Sequence, residues 1–236
     1  MLSPDQKQRL KEAIEALQRH EPVQYITGSS WFYGMELLVN KNVLIPRPET
    51  EELVEWIVQD AAHRHRLHLL DVGTGSGCIP LALKKSLPDA QVSAIDVSEG
   101  ALEVARSNAA RQRLDVNFLL MDALNPGQVA ALPEFDVIVS NPPYITQSEQ
   151  TSMQELVWGF EPSLALFVPD HDALLFYRHI SVMAQSRLLP GGALYFEINE
   201  AFGKEVVALM ESLGFRDVVL KQDMFGKDRM VKGSKI

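Results

Sequence analysis

Short apolar runs alternate with helical stretches from residue 67 onward. The runs at 67–72, 91–96, 115–121, 135–140 and 192–198 have the length and β-branched content of buried strands. Apolar residues at helical spacing predict helices over 77–86, 98–111, 172–188 and 201–213. Strands that alternate with helices imply an α/β fold, a mostly parallel sheet covered on both faces. The end of the chain breaks this rhythm. Residues 214–221 and 228–234 read as two strands joined by Gln222–Lys227, too short a connection for a helical crossover. They are expected to pair antiparallel, which makes seven strands in all.

The first part of the chain is organised differently. Ser3-Pro4-Asp5-Gln6 reads as a helix start, with a serine cap, proline at the first helical position and glutamine three residues after the cap. Leu10, Ala13, Ile14 and Leu17 continue at helical spacing until Glu21-Pro22. Residues 23–45 are rich in aromatic and β-branched residues around Gly34, which predicts a β-hairpin. Ile45-Pro46-Arg47-Pro48-Glu49-Thr50-Glu51 then forms a stiff connection into a helix ending near residue 60. The expected division is 1–22, 23–50 and 51–236. Residues 145–171 form a long segment with few signals beside a strand end, a common position for a lid.

Composition bounds the possibilities. The 236 residues are 46% hydrophobic and 22% charged, enough for one large domain with a small appendage. A net charge of −9 argues against a surface that wraps nucleic acid. Cys78 is the single cysteine, which excludes an internal disulfide and fits a reducing compartment. No apolar run has the roughly 18 residues of a membrane span, and the N-terminus lacks a signal-peptide pattern. A cytoplasmic protein with no membrane contact is expected.

The most informative stretch is Val137-Ile138-Val139-Ser140-Asn141-Pro142-Pro143-Tyr144. Open α/β sheets bind ligands at the carboxyl ends of their strands, and this tetrapeptide follows such an end. The two prolines lack N–H groups, so the ladder stops and the turn is stiff. It can offer two acceptors, the Asn141 side-chain oxygen and the Pro142 carbonyl, to one NH2 group. Tyr144 adds a flat face for stacking. That is what methylation of a planar amide or amine nitrogen needs. An Asn-Pro-Pro sequence alone is more often only a turn.

A second motif lies upstream. Leu69-Leu70-Asp71-Val72-Gly73-Thr74-Gly75-Ser76-Gly77 reads as strand, glycine turn and helix. Glycines permit tight turning and close ligand approach, and the helix N-terminus favours a carboxylate. Asp96 ends the next strand, where a carboxylate can accept both hydroxyls of a ribose. A dinucleotide enzyme competes, but its third glycine would fall at position 78, which is cysteine here. The alternating Gly73, Gly75, Gly77 spacing suits S-adenosylmethionine better. The expected cofactor wall is Gly73, Thr74, Gly75, Ser76, Gly77, Asp96, Val97, Asp122, Ala123 and Asn141. Asp122 has two readings, a carboxylate facing the adenine edge or a plain loop residue.

Both motifs, in this order, resemble the release-factor glutamine methyltransferases, which methylate the Gln of the Gly-Gly-Gln motif in bacterial peptide release factors. The resemblance spans nearly the whole chain. It includes Glu21-Pro22-Val23-Gln24-Tyr25-Ile26-Thr27-Gly28 and Leu44–Glu51, and continues through Phe160-Glu161-Pro162, Leu189-Pro190-Gly191-Gly192, Asp223 and Asp228-Arg229. The glycine motif is shared by many methyltransferases, and Ile45–Glu51 is what singles out the family.

The resemblance implies a Rossmann-like class I S-adenosylmethionine-dependent methyltransferase domain and a release factor as partner; no direct nucleic-acid partner, no metal and a monomer are expected beside it. It implies Asn141, Pro142 and Tyr144 as catalytic and Asn141, Pro142, Pro143 and Tyr144 as substrate-binding. It also implies a helical domain whose end is residues 1–22. Relatives can carry an aromatic residue where this chain has Ala123, so other groups are expected to close the adenine pocket. The alternative function is methylation of an exocyclic amine in nucleic acid, such as adenine N6, which uses the same tetrapeptide but needs a basic groove.

Other residues have two readings each. Trp31-Phe32-Tyr33 reads as hairpin core, with Phe32 alternatively covering the cofactor. Arg47 either holds a carboxylate near the cofactor or caps the hairpin. Glu197, at the end of the fifth strand, is expected near the cleft, pairing with Arg47 or another cation. Trp158, Phe160 and Glu161 are placed near the peptide site. His63, His65 and His68 read as a solvated connection, since Arg64 and Arg66 interleave them.

Overall fold

The computed structural model describes residues 2–150 and 159–236, so the expectation for Trp158 and the middle of the 145–171 segment lie outside the described residues. The N-terminal helix Pro4–Gln18 starts at Ser3 with the reciprocal capping box, Gln6 N–H donating to Ser3 Oγ at 3.2 Å and Ser3 N–H to Gln6 Oε1 at 2.9 Å.

The expected 23–45 hairpin is narrower than its composition suggested. Val23–Thr27 is a helical turn, because the Pro22 carbonyl accepts from the N–H groups of Tyr25 and Ile26 and Gly28 closes the turn at φ 73°. Only β1 (Ser29–Phe32) and β2 (Met35–Leu38) pair, antiparallel, around Tyr33 and Gly34, both at positive φ. That turn has the hand that matches strand twist. Val39, Val43 and Ile45 are buried without joining a strand.

The main sheet contains β3 (His68–Val72), β4 (Gln91–Asp96), β5 (Asn117–Leu120), β6 (Phe135–Ser140), β9 (Leu188–Glu197), β10 (Arg216–Gln222) and β11 (Asp228–Ser234). Its order is β10-β11-β9-β6-β3-β4-β5. The strands β5, β4, β3, β6 and β9 run parallel, and β11 runs antiparallel to both β9 and β10. The two terminal strands therefore pair as expected, with β11 inserted between β9 and β10. Two short strands, β7 (Ile145–Thr146) and β8 (Phe167–Val168), pair outside the main sheet.

The sheet is covered on both faces, and the period-2 alternation shows which residues face which layer. Leu69, Val137, Val139 and Tyr195 pack with helices Pro48–Ala61 and Cys78–Ser86. Leu70, Val72, Ile138, Leu194 and Phe196 pack on the opposite side with Leu175–Arg187 and Gly203–Ser212. Phe32 belongs to the first layer, while Trp31 is 72% exposed, as alternation along β1 requires. Among the described residues no helix is long and apolar enough to cross a membrane.

Candidate active site

Strand register brings the two motifs together. Val72 lies level with Ile95 on β4 and with Ser140 on β6. The next residue on each strand is Gly73, Asp96 and Asn141, so all three emerge at one end of the sheet. Ser140 also lies level with Phe196, which puts Glu197 beside Asn141. Strand order reverses at β3, since β4 and β5 lie to one side and β6 and β9 to the other. Ligands of open α/β sheets bind at that kind of switch point. A cleft of about 1110 Å³, its open mouth included, occupies the position here.

The glycine turn follows β3 with φ of 76° at Gly73, 53° at Gly75 and 81° at Gly77, conformations that L side chains rarely adopt. A Cβ on Gly77 would lie 3.1 Å from the Ala105 Cβ, so this glycine also permits close packing of the helix it opens. Gly77 does not line the cleft, unlike Gly73, Thr74, Gly75 and Ser76. Most of the turn's amides have partners: Gly73 and Thr74 donate to the Ile95 carbonyl, Gly75 to Asp96 Oδ2 at 2.8 Å, and Gly77 to the Thr74 carbonyl. Asp96 Oδ1 accepts from Ser98 N–H at 2.9 Å. Burial holds the Asp96 carboxyl above its ordinary range against the pull of these amides.

Beneath the turn, Asp71 is 1% exposed, and neither of its carboxylate oxygens has a hydrogen-bond partner. The same is true of the Thr74 and Ser76 hydroxyls. Burial pushes Asp71 up to about 7, with the nearby Thr74 hydroxyl working the other way although it does not reach hydrogen-bond geometry. Burial likewise raises the Cys78 thiol to about 12.

Asn141, Pro142 and Pro143 line the cleft after β6. Asn141 Nδ2 donates to Thr50 Oγ1 at 3.3 Å, and Thr50 Oγ1 donates to Glu197 Oε2 at 2.6 Å. The other Glu197 oxygen accepts from the Tyr144 hydroxyl at 3.3 Å. Thr50 and Glu197 are both 2% exposed. Burial raises the Glu197 carboxyl, opposed chiefly by the Thr50 hydroxyl and by the charge of Arg229. Tyr144 packs beside the second core layer and is not among the cleft-lining residues. Burial, with the Glu197 charge, raises its hydroxyl.

The remaining walls come from segments whose local pattern gave no hint of the cleft. Asn42, Val43, Leu44 and Pro46 line it from the connection after the hairpin, and Phe176 and Ile180 from the helix after β8. Phe32 does not reach it, because its place on β1 points it into the core. Arg47 pairs with Glu161 at 2.5 Å, and Glu161 also accepts from Ile45 N–H at 3.2 Å. Of the expected partners of Glu197, Arg47 is taken by Glu161, while the charge of Arg229 acts on Glu197 beside the bonds from Thr50 and Tyr144. Val97, Asp122 and Ala123 line the cleft, and Met121 and Phe176 add bulk to a wall where Ala123 is small. His63 and His65 are exposed and His68 begins β3. Among the described residues no three metal-ligating side chains converge.

Comparison with known proteins agrees with this geometry. Residues 49–160 match the methyltransferase small domain and residues 1–28 the PrmC N-terminal domain. The release factor glutamine methyltransferase of Flavobacterium psychrophilum is 46% identical over 241 residues, covering 98% of this chain and 84% of that protein. The protein of the same name from Bacteroides thetaiotaomicron is 46% identical over 235 residues, covering 100% and 84%. Among solved structures, the release factor-specific protein-(glutamine-N5) methyltransferase of Alicyclobacillus acidocaldarius is 27% identical with a TM-score of 0.50, over 84% of this chain and 98% of that one. A methyltransferase from Pyrococcus furiosus, 17% identical, shares the fold with a TM-score of 0.63 over 93% and 98% of the two chains. With a seven-stranded sheet of this order and nearly full-length relatives of one name, the chain belongs to the release factor glutamine methyltransferase family.

Proposed function

We propose that this chain transfers the methyl group of S-adenosylmethionine to the side-chain amide nitrogen of the glutamine in the Gly-Gly-Gln motif of peptide chain release factors. The observation that carries this is a shared space: the glycine turn, Asp96 and Asn141-Pro142 all open into one cleft. The three parts divide as a helical segment (1–22), a hairpin and connection (23–50), and the methyltransferase domain (51–236). A release-factor substrate places the reaction in the cytoplasm.

The residues fit the cofactor. The orphaned Asp71 carboxyl and the Thr74 and Ser76 hydroxyls supply a buried polar set that suits the ammonium group of its amino-acid end. Asp96 is the ribose acceptor, and Val97, Asp122 and Ala123 form the wall for the base. When bound, S-adenosylmethionine supplies a methyl whose S–C bond breaks as the N–C bond forms, the sulfur keeping the electron pair and one amide proton leaving to solvent. Asn141 Oδ1 and the Pro142 carbonyl accept the two amide N–H groups and draw density toward a nitrogen whose lone pair is delocalised. Tyr144 braces the turn. Alignment of this kind can remove about 7–11 kcal/mol of barrier.

The test is transfer of labelled methyl from S-adenosylmethionine to a purified release factor, to the same factor with Gln→Ala in Gly-Gly-Gln, and to nucleic acid. Label on the intact factor alone, lost in Asn141→Ala, is expected. Label on nucleic acid instead would replace this function with methylation of an exocyclic base amine.

A further inference from the structure

We propose that Thr50 is a positioning residue for the transfer, held by Glu197, whose hydroxyl fixes which end of the Asn141 side-chain amide faces the cleft. The inference rests on the function just proposed, and it concerns how Asn141 keeps its acceptor in place.

An asparagine amide is nearly symmetric in shape, and its two orientations differ only in the bonds they make. Flipped, Asn141 would point NH2 at an incoming NH2 and would repel the substrate. The surrounding bonds remove that ambiguity. Thr50 has one hydroxyl proton. At 2.6 Å that proton goes to the Glu197 carboxylate, a short bond to a charged acceptor. Thr50 Oγ1 is then left with lone pairs only, so Asn141 must turn Nδ2 toward it, as observed at 3.3 Å. Oδ1 is thereby left for a donor in the cleft. Thr50 and Glu197 are buried, so water cannot readily take the place of either.

Glu197 reaches the tetrapeptide at both ends. One oxygen acts on Asn141 through Thr50, and the other receives the Tyr144 hydroxyl directly. A carboxylate suits this task because it only accepts, so the direction of every bond in the relay follows from its charge. Thr50 also explains a feature of Ile45–Glu51 that stiffness alone does not. Proline at position 48 opens the helix Pro48–Ala61, and Thr50 in its first turn is carried to the end of β6, 91 residues away in sequence.

The test compares Thr50→Val, which keeps the shape and removes the hydroxyl, with Thr50→Ser, which keeps the hydroxyl. With a release factor as substrate, Thr50→Val is expected to lower kcat about 10²-fold while S-adenosylmethionine binding, read by calorimetry, stays within about threefold. Thr50→Ser is expected to restore kcat to within about fivefold of wild type. A Thr50→Val kcat close to wild type, or equal losses in the two variants, would overturn the proposal.

A second readout does not depend on turnover. In ¹H–¹⁵N spectra, the Asn141 side-chain NH2 should show one slowly exchanging proton in wild type and Thr50→Ser, and two fast ones in Thr50→Val. An unchanged NH2 signal in Thr50→Val would refute the relay for any substrate. Failure of the wild-type protein to methylate a release factor would instead refute the function, and the spectra would still decide the relay.

Discussion

Gly75 N–H donates to Asp96 Oδ2 at 2.8 Å, so the glycine turn after β3 and the carboxylate after β4 hold each other in place. Asp96→Ala therefore removes the proposed ribose acceptor and also leaves the Gly75 amide without its partner. A hydrogen bond to a charged group contributes about 1.5–3 kcal/mol. Two such losses predict S-adenosylmethionine binding weaker by about 10²-fold or more, with the fold retained. Asp96→Asn keeps an oxygen for Gly75 and should lose less. Titration calorimetry checks both, and equal affinities for wild type and Asp96→Ala would refute the assignment.

Asp71 predicts a pH effect on stability without ligand. Its folded value, about 7, stands above the unfolded value, which is near 3.9. The Asp71 contribution is thus fully present below about pH 3.9 and is lost as pH rises through about 7. Asp71→Asn removes this dependence. Its Tm relative to wild type should rise between pH 5 and pH 8, measured by thermal scanning. Parallel curves for the two proteins would show that burial does not raise this carboxyl.

Removal of Arg47 strands a carboxylate. The Glu161 side chain is 3% exposed, while Arg47 at 34% is partly solvated. Arg47→Met should destabilise the fold by about 3 kcal/mol, at the low end for leaving a buried charge unpaired. Adding Glu161→Gln to it should recover part of that loss. Urea unfolding of the two single variants and the double variant gives the coupling, and strict additivity would mean that the pair contributes nothing.

The hairpin offers a contrast between neighbours. Phe32 is 1% exposed and Trp31 72%. Phe32→Ala should cost about 3–5 kcal/mol, whereas Trp31→Ala should stay within about 0.5 kcal/mol. Similar losses in the two variants would mean that the face of β1 is assigned the wrong way round.

Some of this was legible in the chain and some was not, for physical reasons. Runs such as Val137-Ile138-Val139 state their own secondary structure, because the middle of a strand buried on both faces is apolar. Gly73–Ser76 and Asn141–Pro143 line the cleft, and their backbone chemistry is local enough to be read in the chain, whereas Gly77 and Tyr144 of the same motifs do not reach it. The turn Val23–Thr27 was hidden, since its β-branched composition favours a strand and only Pro22 and Gly28 override it. Val43, Phe176 and Ile180 read as ordinary core residues, and only the folded chain turns them toward a cleft. The bond between Thr50 and Glu197 joins residues 147 positions apart, and no local period reports such a contact.

The roof formed by Asn42–Thr50 bears on how this enzyme can be recombined. By sequence, the unit that performs chemistry begins at about residue 51. Yet a chimera joined there would inherit Pro46, Arg47 and Thr50 from the other parent, and with them part of the pocket wall, the mate of Glu161 and the group that meets Asn141. Exchange of front ends between relatives would thus be expected to alter turnover. The portable module begins ahead of the hairpin, because Phe32, Met35 and Leu37 pack in the sheet's first core layer.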